Sequence, residues 1–181
     1  MKHIKTNIND FIKEAYVDSK GNLKDMNWDP SSDDLWDDEE FLSFTNKNLE
    51  HSEEMPEEMY ILLSDNHKKL YRKELLDYGG QMIGYSENES LLKDLVEYDY
   101  DRLSKETMEW IELFPKMGDD GFPVDETFIK NIDEILQGRI INKLKELMEW
   151  DIHMSEDLFK SFHPNVQKLI QNNTFTPFII D

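Results

Sequence analysis

Apolar residues along this chain recur mainly at three- and four-residue steps, the period of a helix with one covered face, and polar clusters interrupt the pattern at intervals. Ile4, Ile8, Phe11, Ile12, Ala15 and Tyr16 form the first stripe and predict a helix over about 7–19, with Gly21 near its end. Residues 20–32 are turn-rich, and Ser32 is placed to cap a short acidic helix carrying Leu35, Trp36, Phe41, Leu42 and Phe44. Pro56 suits the first position of the next helix, where its missing N–H costs nothing. That segment runs through Met59, Leu62, Leu63, Leu70, Tyr71, Leu75 and Tyr78 to Gly79-Gly80, with a candidate break at Ser64-Asp65-Asn66.

Ser86 and Glu89 have the spacing of a capping box. Leu92, Val96, Tyr100, Leu103, Trp110 and Phe114 follow near one stripe, so 87–114 reads as one long helix or two joined near Ser104, ended by Pro115. The stretch 115–124, with Gly118-Asp119-Asp120-Gly121, reads as loop. Asp125 is the expected cap of a helix running to about Trp150, with Phe128, Ile129, Ile132, Ile135, Leu136, Ile140, Leu144, Leu147 and Met148 on one broad face. Ser155 opens a shorter helix with Leu158 and Phe162, Pro164 starts a last one with Val166 and Ile170, and 174–180 reads as extended. The fold expected is mostly α: a helical bundle-like domain of about six to seven helices, two of them long and antiparallel, with little or no β-structure. Its expected organisation is an N-terminal helix and acidic segment over 1–58, packed on or tethered to a helical body over 59–181.

Charge changes this picture more than any motif. Between Asp29 and Glu58 twelve acidic side chains face a single lysine, Lys47, so about −11 of the net −20 sits in this block. Residues 87–126 add thirteen acids against four bases. With 40 acids to 20 lysines and arginines in all, direct binding to a phosphate backbone or an anionic membrane is disfavoured. The 38% hydrophobic and 12% aromatic content is too rich for a wholly disordered acidic chain, so a packed core is expected, one that added salt should stabilise by screening like charges. The absence of cysteine removes disulfides and thiolate chemistry. No apolar run approaches the ~18 residues of a membrane span, and the opening residues lack a signal-peptide core, so a soluble, cytoplasmic protein is expected. Ala15 is the only alanine and Arg72, Arg102 and Arg139 the only arginines, a bias that matches AT-rich coding; the opening MKHIKTNINDFI resembles in style the start of small phage or low-GC bacterial reading frames.

Candidate chemistry is sparse. Glu149 and His153 share a helical face if the helix runs that far, but neither the Glu-x-x-His pairs of di-iron bundles nor His-Glu-x-x-His occurs, so Glu149, Asp151 and His153 read as a solvated helix end. Asp119 and Asp120 lie between glycines without the ligand register of a calcium loop. Asp99 and Asp101 flank Tyr100 at a spacing that points them to different helix faces, poor geometry for paired acid–base work. No Gly-rich phosphate loop or nucleophile elbow occurs. His67, Lys68, Lys69, Arg72 and Lys73 form the one basic cluster, and its ordinary reading is ion pairing with the chain's own acidic helices, such as 97–112.

No catalytic residue, metal ligand or cofactor is therefore assigned, and the expected role is that of a non-enzymatic protein. Carboxylates three or four residues apart on a helix are ~6 Å apart, comparable with phosphates along a strand. Asp33, Asp34, Trp36, Asp37, Asp38, Glu39, Glu40, Glu53, Glu54, Glu57 and Glu58 are accordingly the expected partner-binding residues. The expected partner is a basic protein surface, that of a nucleic-acid-binding host defence protein, engaged by a monomer or small homo-oligomer encoded by a phage. In its charge logic the chain is similar to small acidic anti-restriction and anti-CRISPR proteins, a similarity of class that no motif carries. The alternative is a structural or assembly subunit of a virion or other complex. Its candidate surfaces would be the stripe of Ile4, Ile8, Phe11 and Ile12 and the tail 175–180.

Overall fold

The computed structural model describes residues 38–51, 54–119, 121–171 and 177–181. These form a mostly α-helical domain. The order is α1 (Asp38–Glu50), α2 (Glu57–Tyr60), α3 (Asp65–Tyr78), α4 (Gly80–Gly84), α5 (Glu89–Tyr98), α6 (Tyr100–Leu113), a 3₁₀ turn (Phe114–Met117), α7 (Glu126–Asn131), α8 (Glu134–Leu147), β1 (Ile152–Met154), α9 (Glu156–Ser161), α10 (Pro164–Gln171) and β2 (Phe178–Ile180). The helix expected over 7–19 lies outside the described residues, as does Ser32.

The helices share one core, in which Phe41 and Leu49 of α1 join Tyr60, Tyr71, Leu75, Ile83, Leu91, Leu95, Leu103, Ile111, Phe128, Leu136 and Ile140. The periodic stripes put these side chains inward, and α1 packs on α3, α4 on α6, and α8 on both α6 and α10. Gly80 permits the closest of these approaches: a Cβ there would sit 2.3 Å from the backbone oxygen of Glu106. Strands β1 and β2 pair in parallel, with Ile152 opposite Phe178 and Met154 opposite Ile180. The extended tail expected from the sequence is thus a strand, and it drives Phe178 against Phe122 at 6.1 Å between ring centroids.

The helix boundaries are set by side chains that take up open backbone groups or hold a junction residue. The segment after Pro56 breaks at Ser64, where the sequence placed its candidate break, the Ser64 hydroxyl accepting from the His67 amide; Pro56, by contrast, precedes the first helical residue of α2 instead of occupying it. The capping box at Ser86 and Glu89 does not form. Asn88 caps α5 instead, its side chain accepting from the Leu91 amide, while Ser86 accepts from the Asn88 amide. The joint in 87–114 falls at Asp99 (φ −130°, ψ 23°), not near Ser104, because Asp99 is held by the Arg72 guanidinium at 2.6 Å.

The helix expected over 125–150 is likewise two. It breaks at Ile132, where the buried Gln137 amide donates to the carbonyls of Ile129 at 2.9 Å and Ile132 at 3.3 Å, and Asp133 caps α8 through the Leu136 amide. Gln137 thereby satisfies carbonyls that the end of α7 leaves open. α8 stops at Leu147, so Glu149 and His153 do not share a helical face; His153 stands in β1 with Nδ1 2.8 Å from Asp181 Oδ2. Helices α6 and α8, each of 14 residues and packed on each other, are not antiparallel. Their cross-links advance in the same sense, Tyr100 to Asp133, Ser104 to Arg139 and Glu112 to Lys143.

Candidate protein-interaction surface

Six of the eleven expected partner-binding residues fall within the described residues. Asp38, Glu39 and Glu40 occupy the exposed first turn of α1, where carboxylates also complement the helix dipole. Asp38 has an internal task as well: its Oδ1 accepts from Asn66 Nδ2 at 2.9 Å and lies 3.6 Å from Nε2 of the buried His67. The His67 ring stacks on Phe41 with centroids 4.5 Å apart, so the start of α1 is fastened to the start of α3 by polar and apolar contacts together. Glu58 is exposed on α2. Asp33, Asp34, Trp36, Asp37 and Glu53 lie outside the described residues.

Glu54 and Glu57 point inward, to the N-terminal end of α5. Glu54 Oε1 accepts from Ser86 Oγ at 2.6 Å. Burial pushes its carboxyl up to about 7, against the Ser86 hydroxyl and the Glu87 amide, which favour the ionised form, and with the Glu87 charge adding to the rise. Around it, Tyr71 Oη accepts from the Met55 amide at 2.7 Å and Asn88 Nδ2 donates to the Met55 carbonyl at 3.1 Å. Glu57 Oε1 takes both the Ser90 amide at 3.0 Å and the Ser90 hydroxyl at 2.6 Å, a second cap on the same helix. Burial and the Glu87 charge also raise Asp125 above the ordinary carboxylate range.

At the C-terminal end of α5 the arrangement is centred on a cation. Arg72, buried in α3, donates through Nε to Asp99 at 2.6 Å and through Nη1 to Tyr60 Oη at 3.4 Å, and its Nη1 lies 3.8 Å from Asp94 Oδ2. Tyr60 in turn donates to Asp94 at 2.7 Å. The ring of Tyr98, 62% exposed, lies over the guanidinium with its centroid 5.1 Å from Cζ. Three members of the basic cluster face the chain's own acids, Arg72 as described, Lys73 with Glu74 and Asp77, and His67 with Asp38, while Lys68 sits over the Tyr60 ring. The sequence signalled this pairing through Arg72 and the 97–112 segment, but not Tyr98 as the exposed part of it.

Elsewhere Arg102 pairs with Asp77, Lys93 with Glu89, Lys105 with Glu106 and Glu109, Lys130 with Glu126, Lys143 with Glu112 and Glu146, and Lys160 with Glu156. An open groove of about 470 Å³ runs between α6 and α8, with Ser104, Met108 and Arg139 among its lining residues. Asp119 makes an Asx turn, its carboxylate accepting from the Gly121 amide at 2.8 Å. Among the described residues no group of three or more His, Asp or Glu side chains is placed to hold a metal ion, and no helix is long and apolar enough to cross a membrane. Comparison of the chain with protein-family models, with curated proteins and with solved structures finds no match in any of the three.

Proposed function

We propose that the protein is a non-enzymatic, acidic binding protein that takes up the basic nucleic-acid-binding surface of another protein, in the manner of an anti-restriction or anti-CRISPR inhibitor encoded by a phage and acting in the host cytoplasm. One observation carries the reading: cations of the described surface are largely neutralised by neighbouring carboxylates of the same chain, while Glu39, Glu50, Glu58, Glu97 and Asp101 stand exposed on short, packed helices and Glu87 on the loop before α5. A net charge of −20 spread this way presents a negative field that steers a basic partner and repels nucleic acid.

The test is capture from host lysate on the immobilised full chain at low salt, with bound proteins released by a salt gradient and, separately, by competing DNA or RNA. A nucleic-acid-binding protein released by moderate salt and displaced by nucleic acid is the expected result. Retention indifferent to both salt and nucleic acid would overturn the electrostatic account. Replacing Asp33, Asp34, Asp37 and Asp38 with asparagine should keep the fold and weaken the captured complex; a folded variant that binds normally would clear this block of the role.

Assembly into a larger complex is the second reading, and the exposure of Ile135 (70%), Met117 (58%) and Leu113 (52%) favours it. The tail named from the sequence contributes less to it than expected, since Phe178 is buried within the molecule. Size-exclusion chromatography with light scattering separates the two readings: monomer or small dimer for the inhibitor, higher assemblies for the subunit.

A further inference from the structure

Tyr98 is a large aromatic side chain at the last position of α5, more than half exposed on an acidic surface. It is also held in place. One face of its ring covers the Arg72 guanidinium, with Asp94, which faces the same guanidinium at 3.8 Å, one helical turn back. Among the described residues no second cation or ring stacks on Tyr98. Its exposed tyrosine counterparts are engaged differently: Tyr85 sits edge-on to Trp110, and Tyr78 donates to the Asn46 carbonyl at 3.3 Å.

We propose that Tyr98 is an aromatic platform for a guanidinium group of a basic partner, stacked on the ring face away from Arg72, with Glu97 supplying the counter-charge. This deepens the proposed function and rests on it, naming the contact that an arginine of the partner would make. A ring presents negative potential on both faces, so it can serve a cation on each. The inner cation does not repel the outer one strongly, because Arg72 is paired with Asp99 at 2.6 Å and faces Asp94 at 3.8 Å. The neighbouring exposed charge is negative: Glu97 adjoins Tyr98 in sequence, and Asp101 lies in the first turn of the next helix. A rigid aromatic flanked by acids has the anatomy of an interface anchor with a polar rim, and its complement is an arginine, whose planar guanidinium stacks where a lysine ammonium does not.

The experiment is fluorescence anisotropy of a labelled nona-arginine peptide with the full chain at low salt, comparing wild type with Tyr98→Ala, Tyr98→Phe and, as a matched exposed tyrosine, Tyr78→Ala. Tyr98→Ala should weaken binding about two- to five-fold, the size of one exposed cation–π contact, while Tyr98→Phe and Tyr78→Ala bind like wild type. Circular dichroism checks that each variant is folded. Independently of any variant's stability, the ring protons of Tyr98, assigned by their absence in Tyr98→Phe, should shift on peptide titration. A folded Tyr98→Ala that binds like wild type, or ring protons that stay still at saturation, would overturn the platform and leave the acidic-surface reading standing. Failure of the peptide to bind wild type even at low salt would overturn both.

Discussion

The two ends of α5 bury carboxylates in opposite ways. At its C-terminal end Asp94 and Asp99 share a buried arginine, and Asp94 also accepts from the Tyr60 hydroxyl, so negative charge is met by positive charge. At its N-terminal end Glu54 is met only by hydrogen-bond donors, the Ser86 hydroxyl and the Glu87 amide, and burial lifts its carboxyl to about 7. The helix dipole suits both placements, anions at the start and a cation at the end. The donors do not offset the desolvation of Glu54, so the N-terminal end of the helix is sensitive to pH near neutrality, while the C-terminal end sets its carboxylates against a fixed positive charge.

Removing the cation is the most direct way to break this comparison. Arg72→Met leaves Asp99 and Asp94 facing a buried apolar chain and should cost about 3 kcal/mol in urea unfolding at pH 7, the bottom of the range for a broken buried pair because both acids are partly exposed. A loss below ~0.5 kcal/mol would mean that water replaces the guanidinium, and that the two ends are alike.

The next largest effect is at Glu54. Its folded-state value of about 7 lies above the ordinary 4.5, so the folded protein binds more protons in that interval. The stability this gives is present below pH 4.5 and lost as pH rises to and past 7. Glu54→Gln abolishes the loss, and should be more stable than wild type by on the order of 1–3 kcal/mol at pH 8, with the difference shrinking toward pH 5. Parallel pH profiles for the two proteins would refute an uncompensated buried carboxylate.

Ser86→Ala sharpens the same point. It removes a donor to Glu54 and the acceptor for the Asn88 amide, and should cost about 1–2 kcal/mol at pH 8 and less at pH 5, where Glu54 is neutral. Smallest is Glu57→Gln, which keeps an acceptor for Ser90 but removes its charge, for a loss of about 0.5–1 kcal/mol in urea unfolding at pH 8. An equal loss at both positions would show that charge matters no more than hydrogen-bond capacity at the start of α5.

These residues also mark where sequence reasoning stopped. Helical stripes identified most of the buried positions, because a helix packed on one side must repeat its apolar residues at that period; Leu92, Leu103, Ile140 and Val166 were all legible so. The breaks at Asp99 and Ile132 were not. Apolar periodicity runs through both, and what ends the helices is a side chain remote or separate in sequence, Arg72 in one case and Gln137 in the other. Glu54 and Glu57 were indistinguishable from Glu58 as members of an acidic run, and only the placement of Ser86 and Ser90 turns them inward. The value of Arg72 as a neutralised cation was foreseeable from its acidic neighbours. Its exposed cover, Tyr98, was not, since one stripe residue more or less at a helix end carries no signal of its own.

The parallel pairing of β1 with β2 has a consequence for the order of assembly. Two strands that run side by side in the same direction cannot be joined by a tight turn, so α9 and α10 lie in the chain between them. The pairing is a contact of high sequence separation, closed only after those helices have found their places. Phe178, carried in by β2, then covers Phe122 beneath the loop that precedes α7. The last strand therefore acts as a bolt set late in folding: its amides should gain hydrogen-exchange protection after those of α6 and α8, and its release should open the loop before the helices separate.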